Sequence, residues 1–63
     1  MTFDNQFGLF VQHEEGSFWK GFFADLDEAK QKAQQLANHD GFEYFVVNLQ
    51  DFTEVIRKFP QQV

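Results

Sequence analysis

The chain has 63 residues, 43% of them hydrophobic and 24% charged, which fits one small domain spanning residues 1–63 and is too little for two. Ten acidic against five basic residues leave a net charge of -5, and the lack of cysteine removes disulfide scaffolds, cysteine-ligated zinc and thiol catalysis. Aromatic residues reach 19%, ten Phe with Trp19 and Tyr44, and each such ring can bury roughly 150–250 Å², so they offer a short chain one route to a stable core, oligomerisation being the other.

Residues 1–6 read as a polar lead broken only by Phe3. From Phe7 to Phe23, two aromatic and β-branched runs flank His13-Glu14-Glu15-Gly16-Ser17, the pattern of a β-hairpin whose glycine supplies the positive φ of a tight turn. A turn centred on Glu15 places Phe7, Leu9, Val11, Trp19, Gly21 and Phe23 on one face of the ribbon. Gly8, Phe10, Gln12, Phe18, Lys20 and Phe22 take the other.

A helix is predicted next. Asp25 is its N-cap, with Glu28 three residues on, and Leu26, Ala29, Ala33, Leu36 and Ala37 recur at helical spacing opposite a face of Asp27, Lys30, Gln31, Lys32, Gln34 and Gln35. Gly41 is placed to end it in the left-handed conformation. Because the apolar stripe is mostly alanine, the helix is expected to lie close against a sheet.

Phe42 to Leu49 is a third strand, with Phe45, Val47 and Leu49 on one side and Phe42, Tyr44, Val46 and Asn48 on the other. The tail admits two readings. As a helix, Asp51 caps with Glu54 in place, Phe52, Val55, Ile56 and Phe59 fall at i, i+3, i+4 and i+7, and Pro60 stops it. As a fourth strand, Thr53 to Phe59 alternates poorly and no glycine-containing turn leads into it. The helix is preferred, giving an α+β domain of order β-β-α-β-α: a three-stranded antiparallel sheet, order 2-1-3, packed by one or two helices.

Residues able to carry chemistry are few. Ser17 stands near His13 across the hairpin turn, yet no third group orients the imidazole and no oxyanion loop is visible. His39 falls at the helix C-terminus, where an imidazole suits the dipole. Asp25-Leu26-Asp27-Glu28 lacks the alternating ligands and central glycine of a calcium loop, so neither a metal nor a cofactor is expected. Phe10, Phe18, Phe22 and Tyr44 could stack nucleobases, but Lys20 is the only basic residue expected beside them and the net charge repels a polyanion. Nucleic acid is therefore not an expected partner.

No run of about 18 apolar residues occurs, and Met1-Thr2-Phe3-Asp4-Asn5 lacks the basic start of a signal peptide, so a cytoplasmic protein without a membrane span is the expectation. With one helix on the Phe7, Leu9, Val11 face, a second apolar face carrying Phe10, Phe18, Phe22, Phe42 and Tyr44, together with Val46, is left to the tail or to another molecule. The reading that follows is a non-catalytic protein–protein interaction module, binding a partner or itself as a homodimer through those five rings. The alternative is an acidic inhibitor or nucleic-acid mimic that uses Glu14, Glu15, Asp25, Asp27 and Glu28 against a basic site.

Overall fold

The helix forms where local signals are densest. In the computed structural model, which describes residues 6–61, α1 spans Leu26–Asp40. The Asp25 carboxylate accepts a hydrogen bond from the Asp27 N–H at 3.0 Å, and Asp27 and Glu28 sit at the positive end of the helix dipole. Gly41, at φ 79°, closes the other end by donating its N–H to the Ala37 carbonyl at 2.9 Å. All of the predicted N-terminal lead except Gln6 lies outside the described residues, as do Gln62 and Val63.

Four strands accompany it: β1, Phe7–His13; β2, Gly16–Phe23; β3, Glu43–Asn48; and β4, Thr53–Lys58. They form one antiparallel sheet in the order β2-β1-β3-β4. Glu14 and Glu15 make the two-residue turn between β1 and β2, and Gly16 after them has φ 143°.

The tail is thus a fourth strand rather than a second helix, and the sheet has four strands rather than three. The reason lies in the turn before it. Asp51 does not cap a helix: its carboxylate accepts from both the Thr53 N–H at 3.1 Å and the Thr53 hydroxyl at 2.6 Å, an Asx-type turn that starts a strand. These bonds, the one from the Thr53 hydroxyl first, hold the Asp51 carboxyl below its ordinary range. Phe52 supplies the left-handed residue that no glycine provides, at φ 58°, and its N–H reaches the Asn48 carbonyl at 2.7 Å. Beyond it, Thr53, Val55 and Ile56 are β-branched, and pairing with β3 satisfies a backbone that the helical spacing alone would have coiled.

A phenylalanine in this conformation is strained. Phe52→Gly is expected to stabilise the domain by about 0.5–1 kcal/mol, the relief of strain exceeding glycine's extra chain entropy, because the ring is exposed and packs little. A rise of a few degrees in the thermal midpoint checks this, and a fall would show that the exposed ring contributes packing.

Each outer strand carries one extra residue. Leu9 and Phe10 of β1 face Gly21 and Trp19, so Lys20 is bulged out of β2; Val46 and Val47 of β3 face Ile56 and Glu54, so Val55 is bulged out of β4. The core lies between α1 and one face of the sheet. Ala29, Ala33 and Ala37 meet Leu9, Val11, Tyr44 and Val46, with Phe7, Phe23, Leu26, Leu36 and Ile56 packed around them. No helix among the described residues is long and apolar enough to cross a membrane.

Candidate interaction surface

Strand pairing decides which side chains turn away from α1, because residues opposite one another on antiparallel strands share a face. Leu9 and Val11 lie under the helix, and they pair with Val46 and Tyr44. Phe10 and Phe45, which pair with each other, therefore point to the opposite, uncovered side.

Two cross-strand rows build that side. The first runs Trp19, Phe10, Phe45, Arg57 from β2 to β4, and the second runs Phe22, Gly8, Val47, Glu54. Phe10 and Phe45 stack with ring centroids 5.5 Å apart and planes at 13°. Trp19 and Phe22 meet at 5.0 Å, tilted by 46°, and remain 55% and 50% exposed. Gly8 forms the floor between them: a Cβ there would come within 3.1 Å of the Phe10 ring and 3.2 Å of Leu49, which shows both side chains folded over it.

The two carboxylates on the border of this face share one guanidinium. The Arg57 guanidinium lies 4.7 Å from the Phe45 ring centre, a cation–π contact. It also grips Glu54 through two bonds, 2.7 and 3.2 Å, and reaches Glu43 at 3.5 Å. Its hydrogen bonds hold the Glu54 carboxyl below its ordinary range and push the guanidinium up.

The five rings expected on one surface are divided. Phe10 and Phe22 stand on the open face. Tyr44 is 1% exposed in the core, its hydroxyl donating to the Asp40 carboxylate at the end of α1, so it is no surface residue. Phe18 pairs with Val11 and belongs to the helix side, as does Phe42, two residues before Tyr44. These two flank His13 at the hairpin end, with centroid separations of 5.3 and 4.3 Å. Val46, also expected on the open side, is buried under the helix. In exchange the open face gains Trp19, Phe45, Val47 and Leu49.

The polar candidates are separated too. Gln12, not His13, stands opposite Ser17 and accepts its hydroxyl at 3.1 Å, while His13 faces Gly16. The two-residue turn moved the register by one from the three-residue turn that would have joined His13 to Ser17. His39 is exposed at the end of α1, its Nε2 3.9 Å from Asp40. Among the described residues no three His, Asp or Glu side chains cluster as metal ligands would. No known protein family, curated protein or solved structure matches the chain.

Proposed function

We propose that the domain is a non-catalytic interaction module that pairs with a second copy of itself through the open sheet face. The observation that carries this is the half-exposed pair Trp19 and Phe22, set beside the partly buried rings of Phe10 and Phe45, on a sheet whose only described helix lies on the other side.

Two arguments favour a second copy as the occupant. The first is charge: two chains of net charge -5 repel, but this face does not concentrate the excess, since Glu43 and Glu54 are both engaged by Arg57. Two such faces oppose one excess negative charge each rather than two unpaired carboxylates. The second is area. Four strands about 4.8 Å apart and six residues long at about 3.3 Å give a footprint of roughly 400 Å². Two copies would bury on the order of 800–1,000 Å², the low end of specific interfaces and suited to a weak, reversible pair.

The one nucleophile–base pair suggested by the sequence, Ser17 with His13, is not brought together at the hairpin. The acidic-mimic reading gains no support from geometry. Glu14 and Glu15 lie at the hairpin turn beside the C-terminal end of α1, whereas Asp25, Asp27 and Glu28 lie at its N-terminus, one helix length or roughly 22 Å away.

Light scattering across a concentration series tests the proposal. The wild-type mass should rise from 7.5 kDa toward twice that value, with a midpoint in the micromolar range expected for a small interface. Trp19→Glu with Phe22→Glu should remain a monomer with an unchanged circular-dichroism spectrum, both side chains being half-exposed. A wild-type chain that stays monomeric at every concentration overturns self-pairing.

A further inference from the structure

A second surface, independent of the open face, lies at the opposite side of the sheet beyond the C-terminal end of α1. His13, Glu14, Glu15, Phe18 and Phe42 line an open cleft of about 470 Å³, within the range of small-ligand sites. Its apolar walls are the rings of Phe18 and Phe42, 49% and 42% exposed, held apart by the His13 imidazole that contacts both. Its polar rim is two adjacent carboxylates on the hairpin turn, and no lysine or arginine lines it. We infer that this cleft binds an organic cation of the alkylated-ammonium class.

The chemistry selects that class over its rivals. Aromatic faces carry partial negative charge and attract a cation within about 6 Å of the ring centre, most strongly when the cation is large and weakly hydrated. Two carboxylates add Coulombic attraction and oppose phosphate or any other anion. A hard metal ion would demand six or more oxygen ligands, which two carboxylates among rings do not supply. A neutral apolar guest would gain from the rings and nothing from Glu14 and Glu15. A quaternary or methylated ammonium uses both halves of the cleft, and the net charge of -5 enriches it near the surface. Such a group reaches the cleft either on a small molecule or on a methylated lysine side chain.

Nuclear magnetic resonance titration with choline tests the site, using as control 3,3-dimethyl-1-butanol, in which carbon replaces the charged nitrogen. Saturable shifts are expected at Phe18, Phe42, His13 and the Glu14-Glu15 amides, with a dissociation constant on the order of millimolar and at least about fivefold preference over the alcohol. Phe42→Ala and, separately, Glu14→Gln with Glu15→Gln should each weaken choline by about threefold or more while the rest of the spectrum is retained. A trimethyllysine peptide in a parallel titration separates the two sources: tighter binding than choline assigns a protein side chain, weaker binding a small molecule. Equal binding of the alcohol, shifts unaltered in the glutamine double variant, or no saturation overturns the inference. None of these readouts depends on self-association, since Trp19 and Phe22 lie elsewhere and the double glutamate variant at those positions should bind choline as wild type does.

Discussion

Ala33→Asp is expected to leave the domain unfolded at room temperature. Ala33 is wholly buried in the middle of the alanine stripe that brings α1 against Leu9, Val11, Tyr44 and Val46. A chain of this length has about 3–9 kcal/mol of stability in total. An unpaired carboxylate at that depth costs several kcal/mol, and its extra atoms push the helix off a close-packed sheet. Ala33→Leu, which tests volume alone, should cost about 1–3 kcal/mol and leave a folded protein with a lower urea midpoint. Gln35→Asp, on the exposed side of the same helix, should change stability by less than about 0.5 kcal/mol. If Ala33→Asp melts like wild type, the close approach of helix and sheet is wrong.

Tyr44 should show the second large effect. Truncation to alanine beneath the helix removes a ring and leaves a cavity, at a cost of about 3–5 kcal/mol, which again consumes most of the fold's margin. Tyr44→Phe keeps the ring and loses only the hydroxyl bond to Asp40, for about 0.5–1.5 kcal/mol. The same environment shapes the alkaline limb. Burial, and after it the Asp40 carboxylate beside the hydroxyl, push the Tyr44 phenol up to about 12 from its ordinary 10.0. The fold therefore favours the neutral phenol: this contribution is fully present below pH 10 and fades as pH rises toward 12, because the unfolded chain releases the proton first. Tyr44 is the chain's one tyrosine, so phenolate absorbance reports on it alone. That absorbance should rise together with unfolding in wild type, and the loss of stability between pH 10 and 12 should be shallower in Tyr44→Phe. A phenol titrating near 10 in the intact fold would contradict its burial.

How much of this was legible in the sequence depends on how local each decision is. The helix was legible from end to end, because Asp25, the alanine stripe and Gly41 each act within a few residues. So was the pairing of β1 with β2 as far as Leu9 and Gly21, where the register of a turn centred on Glu15 holds. Past that point the bulge at Lys20 shifts the register by one and exchanges the faces of Trp19 and Phe18. Nothing in Phe18-Trp19-Lys20 marks it, and the compatible signal is Gly21, an isolated glycine inside a strand pattern beside the bulged Lys20.

The third strand fails differently. Tyr44, Phe45, Val46 and Val47 are apolar on both sides, so alternation offers no preference, and the sides are assigned by polar partners that composition does not reveal: Asp40, four residues back, for the Tyr44 hydroxyl, and Arg57, on the next strand, for the Phe45 ring. In the tail, Phe52, Val55, Ile56 and Phe59 satisfy a helical period, but the strand gains a whole ladder of bonds to β3 that no local pattern encodes. Hence only Phe10 and Phe22 of the expected surface residues were correctly placed on the open side. The surface itself was foreseeable from the count of rings, and its membership was not.

The two bulges bear on why so ring-rich a chain need not polymerise. Lys20 and Val55 interrupt the two outermost strands, one on each flank of the molecule. A neighbouring molecule trying to zip its own margin onto either flank would lose step partway along, and Lys20 adds charge at one of those breaks. Lateral growth into fibres is thereby discouraged on both sides at once.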